Sequence, residues 1–198
     1  MNVIREDDTG DDLIRFPDLS VPTQVHVIGI GGAGMSAIAE VLTTMGHRIS
    51  GSDLKASAGL ERLRALGVEV YIGHDAAQVG DAEYVTRSTA IPDSNPECVR
   101  ALEEGRPLLS RAQILGAITR FRRTVAVAGT HGKTTTASML ALALRGADLR
   151  PSFVIGGDVN EIGTGAAWDD GDLFVVEADE SDGSFLELAP RLAVVTNV

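Results

Sequence analysis

Two short stretches fix most of what this 198-residue chain can fold into. Each is an apolar run that ends in glycines and passes straight into a helical pattern. The first is Gln24–Ile30 (QVHVIGI), continuing Gly31-Gly32-Ala33-Gly34-Met35. The second is Thr124–Ala128 (TVAVA), continuing Gly129-Thr130-His131-Gly132-Lys133-Thr134-Thr135-Thr136. A strand–glycine turn–helix unit gathers backbone N–H groups and the positive end of a helix dipole at one point, which makes an anion site. Units of this kind belong in parallel sheets covered by helices on both faces. Their wide separation along the chain implies two sheets rather than one.

The rest of the chain agrees with an α/β fold. Strands are expected at Gln24–Ile30, His47–Ser50, Val68–Ile72, Glu83–Thr86, Thr124–Ala128, Ser152–Ile155, Leu173–Glu177 and Leu192–Thr196. Helices are expected at Ala33–Met45, Ala58–Leu66, Pro96–Glu104, Arg111–Arg120 and Lys133–Arg145. Strands such as LFVVE are continuously apolar, as burial on both faces requires. Aromatic residues are only 4% of the chain, so the core rests on Val, Ile, Leu and Ala. The fold class is a Rossmann-like parallel-sheet domain over residues 21–121, followed by the first part of a P-loop ATPase α/β domain over residues 122–198. The boundary falls at the basic cluster Phe121–Arg123. Residues 1–20 carry Glu6, Asp7, Asp8, Asp11, Asp12 and Asp18 against Arg5 and Arg15, and read as a disordered acidic leader.

Composition narrows the function classes. The net charge is −11, so the basic patch expected of a nucleic-acid binder is missing. No apolar run approaches the roughly 20 residues of a membrane span, and the first residues lack the pattern of an export signal. The single cysteine, Cys98, forms no intramolecular disulfide, which fits a cytoplasmic protein, and reads as a packed helix residue. Oligomeric state is not legible.

Gly29-Ile30-Gly31-Gly32-Ala33-Gly34 matches G-x-G-x-x-G between a strand and a helix. Gly29 makes the tight turn, Gly31 lets a diphosphate approach the backbone, and Gly34 lets helix and strand pack closely. Asp53, at the end of the next strand, stands where a ribose-binding acid is expected. NAD and a UDP-sugar both fit this pattern. His26 and His47 read as packing or structural residues in the first two strands.

The second loop ends in the Gly-Lys-Thr of a P-loop, but Val127 stands where the full Walker pattern wants a glycine. The chemistry survives the shortening: backbone N–H groups cradle phosphate, Lys133 meets the outer phosphates, and the Thr134 hydroxyl reaches Mg²⁺. Glu177 ends a strand where an NTPase places a second Mg²⁺ contact, and Asp179, Glu180 and Asp182 read as caps, loop charges or substrate contacts.

Taken together, HVIGIGGAGMSAIAEVL (His26–Leu42), GSD (Gly51–Asp53), STAIPDSNPE (Ser88–Glu97), AGTHGKTTT (Ala128–Thr136), EADESDGSF (Glu177–Phe185) and TN (Thr196–Asn197) resemble the Mur ligases of peptidoglycan synthesis. The resemblance covers nearly all of the chain after Ser20. It implies ATP and Mg²⁺ as cofactors, and UDP-N-acetylmuramate and L-alanine as substrates joined through an acyl phosphate. Carried onto this chain, Gly29, Gly31, Gly32, Ala33, Gly34 and Met35 hold the UDP diphosphate, with Asp53, His74 and Ser88 near the nucleotide or sugar. Gly129, Thr130, His131, Gly132, Lys133, Thr134 and Thr135 hold ATP. Lys133 and Glu177 are the catalytic residues, and Thr134 and Glu177 hold the metal.

Family members continue past T-N to an acidic residue, an Asp-His pair and a C-terminal domain. The expectation is therefore an incomplete ATPase domain in a fragment that binds the UDP-sugar but does not ligate. Arg87 departs from the small or apolar residue usual before Ser88, and its role stays open between a phosphate contact and solvent. Two other readings remain: a sister ligase that attaches a recycled peptide to the same UDP-sugar, and an NAD-dependent oxidoreductase that uses only the first loop.

Overall fold

The computed structural model describes residues 16–159, 162–178 and 184–197. The first sheet contains strands β1 (Gln24–Ile28), β2 (Arg48–Asp53), β3 (Glu69–Ile72), β4 (Tyr84–Arg87) and β5 (Leu108–Ser110), in the order β3-β2-β1-β4-β5. Every neighbouring pair in it is parallel. The chain winds outward from β1 to β3 on one side and through β4 to β5 on the other. The carboxyl end of β1 is thus a topological switch point, where ligands bind in open α/β sheets.

Helices α1 (Ala33–Thr44), α2 (Ala58–Ala65), α3 (Pro96–Glu103) and α4 (Arg111–Thr119) connect these strands. Local sequence sets their starts. The Ser57 hydroxyl accepts from Leu60 N (3.3 Å), Asn95 Oδ1 from Glu97 N (2.8 Å) ahead of Pro96, and Ser110 forms a reciprocal capping box with Gln113. Helix α1 differs, because its N-cap is Gly32 and no side chain caps it.

The second sheet contains β6 (Arg123–Ala128), β7 (Ser152–Val159), β8 (Thr164–Ala167), β9 (Leu173–Glu177) and β10 (Leu192–Val195), in the order β10-β6-β9-β7-β8. Its pairs are parallel except for β7 with β8. Helix α5 (Lys133–Gly146) follows β6, and α6 (Ser184–Glu187) precedes β10.

The two sheets are separate, but their largest core is shared. One buried cluster runs from Val25, Val27 and Ile38 through Leu115 and Ile118 to Ala126, Val154, Phe174 and Val176. Helix α4 explains this. Ala112, Ile114, Leu115, Gly116, Ala117, Ile118 and Thr119 are all buried, so it is apolar all round and packed from more than one side. A Cβ at Gly116 would lie 2.7 Å from Glu187 O and 2.8 Å from Phe16 Cε1, so only glycine admits both neighbours.

Several expectations need correction. Phe16, Pro17 and Leu19, assigned to the leader by their acidic neighbourhood, are packed. Leu19 is 4% exposed within the core, and the Arg120 guanidinium lies 3.9 Å over the Phe16 ring. Residues 1–15 lie outside the described residues, as do Asp179, Glu180 and Asp182. β5 and β8 were not expected. Leu108–Ser110 is only three residues long, and Thr164–Ala167 (TGAA) lacks the β-branched pattern of a strand. β7 runs past Ile155 through two glycines, with a register irregularity between Val154 and Val159. Among the described residues, no helix is long and apolar enough to cross a membrane.

Candidate functional site: two glycine loops and the cleft between them

At the switch point, Gly29 adopts φ +78, and its N–H and that of Ile30 both donate to Ser52 O (2.8 and 3.0 Å). The chain therefore turns sharply off β1 while hanging from the end of β2. Gly31 N donates to Asp53 Oδ2 (2.9 Å), and a Cβ at Gly31 would lie 2.8 Å from that oxygen. Gly31, Gly32 and Ala33 are exposed. The first N–H groups of α1 have no partner within the helix and, with Gly32 as cap, receive none from a capping side chain. Ser88 closes the other side, since a Cβ at Gly29 would come within 3.1 Å of Ser88 Cβ. A Cβ at Gly34 would meet Arg111 Nε at 2.5 Å, so this glycine lets a guanidinium lie against the first turn of α1. Met35 departs from expectation. Its side chain is 2% exposed in the core and its N–H donates to Gly32 O (3.0 Å).

The second loop is held from β10. Thr196 Oγ1 donates to His131 O (2.6 Å), and His131 N donates to Asn197 Oδ1 (3.0 Å). Gly129 adopts φ +128 with Thr196 packed directly over it, so a Cβ there collides with the Thr196 hydroxyl oxygen. Gly132, at φ +81, is the N-cap of α5 and makes no side-chain cap. The Lys133 ammonium donates to Gly129 O (2.7 Å), folding back over the loop. Thr130, His131 and Thr135 are exposed at its rim. Thr134 Oγ1 donates to Glu177 Oε2 (3.3 Å), and Gly156 N donates to Glu177 Oε1 (3.0 Å). The structure thus brings the two expected metal-binding side chains together, one from the first turn of α5 and one from the end of β9.

A cleft of about 160 Å³ opens beside the start of α1, between that helix and strands β7 and β8. Ala33, Ser36 and Ala37 of α1 and Arg62 of α2 line one wall, and Ile155, Gly157, Gly165 and Ala166 line the other. Gly157 lies beside Thr134, since a Cβ there would be 3.9 Å from Thr134 Cγ2. Thr164 on β8 ties the walls together, its Oγ1 donating to Glu40 Oε1 (3.1 Å), while Glu40 pairs with Arg62 (3.0 Å) within the first wall.

A buried polar group behind the first loop was not expected from the sequence. Glu97 is fully buried, and Oε2 accepts from Ser52 Oγ (2.6 Å) and faces His26 Nε2 (3.1 Å). His26 Nδ1 is 2.8 Å from Ser50 Oγ. Oε1 accepts from Asp75 N (3.2 Å) and lies 3.2 Å from His74 Nδ1. Burial opposes ionisation of Glu97, but the hydrogen bonds from His26 and Ser52 and the favourable electrostatics of the two imidazoles outweigh it and hold the carboxyl below the ordinary glutamate value. His26, read as packing, and His74, read as a substrate contact, thus share one carboxylate. Nothing in the sequence links residues 71 positions apart, and an acid in the first turn of a helix reads as a dipole partner.

Arg87 takes neither expected role. It pairs with Asp93 (2.6 Å) and donates to Ile91 O (3.3 Å), pinning the segment after β4. Cys98 is buried, and burial pushes its thiol up.

Two predominantly parallel sheets, each with a glycine loop at the carboxyl end of a central strand, define an α/β protein that presents backbone N–H groups at two helix starts. The profile described as "Mur ligase family, catalytic domain" matches residues 24–123, and the chain belongs to the Mur ligase family. It is 54% identical to UDP-N-acetylmuramate–L-alanine ligase of Allorhizobium ampelinum over 88% of this chain and 37% of that protein. It is likewise 54% identical to the same-named ligase of Rubrobacter xylanophilus over 88% of this chain and 39% of that one. The chain therefore spans less than two fifths of the length of these relatives. Among solved structures, UDP-N-acetylmuramate:L-alanyl-gamma-D-glutamyl-meso-diaminopimelate ligase of Neisseria meningitides superposes with a TM-score of 0.82 at 36% identity, over 89% of this chain and 61% of that one. UDP-N-acetylmuramate-alanine ligase of Thermotoga maritima gives 0.81 at 33%, over 88% and 41%.

Proposed function

We propose that the chain is the nucleotide-binding front of an ATP-dependent ligase that joins L-alanine to the carboxylate of UDP-N-acetylmuramate. Residues 21–121 take the UDP-sugar, and residues 122–198 contribute the phosphate end of the ATP site. The observation that carries this reading is the cleft linking the N-terminus of α1 to the strand beside Thr134 and Glu177. It runs from the start of α1 to Gly157, which neighbours Thr134, so a substrate seated on the first loop can extend toward the second, as transfer of a phosphoryl group onto a carboxylate requires. An NAD-dependent oxidoreductase leaves the second loop without a role. The 54% identity to alanine-adding ligases of two organisms favours the alanine reading, whereas the two solved structures, at 36% for the peptide-adding and 33% for the alanine-adding enzyme, do not separate the two.

The chemistry asks little covalent work of the protein. The carboxylate takes the γ-phosphoryl group of ATP, and the amine of L-alanine displaces phosphate to leave the amide, ADP and phosphate. Gly129 and Gly132 keep the second loop open to an anion, and the orphan N–H groups at the start of α5 face it. Lys133 supplies positive charge to the phosphoryl group in flight. The oxygens of Thr134 and Glu177, 3.3 Å apart, are hard donors suited to Mg²⁺. When bound, that ion neutralises charge building on the phosphate oxygens. The loop Gly29–Gly34 holds the UDP diphosphate on backbone N–H groups and the dipole of α1, with Asp53, His74 and Ser88 around the nucleotide or sugar.

Calorimetric titration with UDP-N-acetylmuramate, NAD⁺ and ATP–Mg²⁺ tests the reading. Heat with the UDP-sugar, lost in Gly31→Glu and kept in Lys133→Ala, is expected. Heat with NAD⁺ and none with the UDP-sugar overturns it.

A further inference from the structure

The hydrogen bonds around Glu97 determine which nitrogen of His74 carries a proton. The Ser52 hydroxyl has one proton, donated to Glu97 Oε2 at 2.6 Å, so toward His74 Nδ1 (3.0 Å) its oxygen can only accept. The other neighbour of Nδ1 is Glu97 Oε1 at 3.2 Å, and an ionised carboxylate only accepts. Both partners therefore need the Nδ1 proton. The surroundings keep Glu97 ionised. Ser52 Oγ, His26 Nε2, Asp75 N and His74 Nδ1 converge on its two oxygens, and the Gln78 amide, turned to donate, reaches Oε1 at 2.9 Å and Gly73 O at 3.2 Å. A backbone amide such as Asp75 N has no choice but to donate.

Neutral His74 with its proton on Nδ1 carries a bare Nε2, which makes no hydrogen bond among the described residues. The ring lies at the end of β2 from which the first glycine loop hangs: its Nδ1 is 3.0 Å from Ser52 Oγ, the preceding Gly73 donates its N–H to Asp53 O (2.8 Å), and the Asp53 carboxylate holds Gly31 N. The Ser52 residue that Glu97 grips by its hydroxyl also receives the Gly29 and Ile30 N–H groups on its carbonyl.

We propose that Glu97 is a positioning residue for the first nucleotide site: it holds His74 as the Nδ1–H tautomer, so that Nε2 accepts a hydrogen bond from an O–H or N–H group of the bound nucleotide. This rests on the reading of the first loop as a UDP site. The ligand group is a neutral donor, such as a ribose hydroxyl or the imide N–H of a uracil ring. A phosphate oxygen has no proton to offer a bare nitrogen.

The test is two-bond ¹H–¹⁵N correlation spectroscopy of the histidine-labelled chain, with UDP as the probe. Free wild-type protein near neutral pH is expected to show His74 protonated at Nδ1 and bare at Nε2, and saturation with UDP to move the Nε2 signal. Glu97→Gln is expected to mix the tautomers and to weaken UDP about tenfold. If that variant fails to fold, the wild-type tautomer and its response to UDP decide alone. A wild-type His74 carrying its proton on Nε2, or a folded Glu97→Gln chain with the tautomer unchanged, overturns the proposal. UDP binding that leaves His74 Nε2 unmoved overturns it too, while the nucleotide site stands. Failure of the wild-type chain to bind UDP overturns the nucleotide site itself.

Discussion

Asp53 Oδ2 accepts a 2.9 Å hydrogen bond from Gly31 N, so the acid at the end of β2 is already engaged with the glycine loop before any ribose arrives. The contact leaves 2.8 Å between that oxygen and a Cβ built on Gly31. Gly31→Ala therefore forces the carboxylate away and breaks a charge-assisted bond, while the loop keeps a backbone any residue can adopt. The expected result is an unchanged fold and a roughly tenfold loss of UDP-sugar affinity, about 1.4 kcal/mol by calorimetry. Unaltered affinity would remove Asp53 from the site.

Two glycines at opposite ends of the second loop–helix unit should respond with opposite signs. Gly129→Ala meets both φ +128 and the Thr196 hydroxyl, and strained backbone of this kind costs about 1–3 kcal/mol. Gly146, the last residue of α5, has nothing within 4 Å of an added Cβ, and alanine there stabilises by about 0.4–1 kcal/mol through the unfolded chain. Urea unfolding of the two variants reads both, and a stabilised Gly129→Ala would show that the loop is not held as described.

Thr134 and Glu177 make a contrast that depends on the metal. Glu177→Gln keeps an oxygen for Gly156 N but removes the charge facing Thr134. ATP affinity should fall about tenfold or more in Mg²⁺ and stay nearly level in EDTA, the hard-donor pair being worth little without the ion. An equal loss in both solutions would make Glu177 a structural residue.

How far the sequence reached depends on whether the cause was local. Both glycine loops, their strands and the helix starts at Pro96 and Arg111 were legible because each is decided within a few residues. The pairing of Thr134 with Glu177 was legible for a different reason, since one opens the helix after β6 and the other ends the neighbouring strand β9 at the same carboxyl edge of the sheet. Residues whose role needs the third dimension were not. Glu97 meets His26 across 71 positions, Thr196 reaches back 65 to clamp the P-loop, and Met35 belongs to a loop motif but turns into the core. The strand Thr164–Ala167 was missed because antiparallel pairing with β7, not its own residues, makes it a strand.

The same buried groups predict a stepped loss of stability on the acid side. Glu97 faces His26 and His74, and its carboxyl is held below the ordinary value. A depressed acid contributes stability that is complete above the unfolded value of about 4.3 and is lost as pH falls through the lower folded value. His47 adds an earlier step. Its ring is 6% exposed, Nδ1 accepts from Thr23 N (3.3 Å), and Nε2 has no partner among the described residues. Burial pushes its value down, so the unfolded chain takes up the proton first and stability begins to fall as pH drops through about 6.5. Melting curves from pH 7 to 3 should show both steps. His47→Gln is expected to remove the upper one and Glu97→Gln the lower one, whereas Glu97→Ala leaves His26 Nε2 and the Ser52 hydroxyl buried without their carboxylate and costs about 1–3 kcal/mol even at pH 7. An acid limb that Glu97→Gln leaves untouched would mean that the carboxylate is not ionised in the fold.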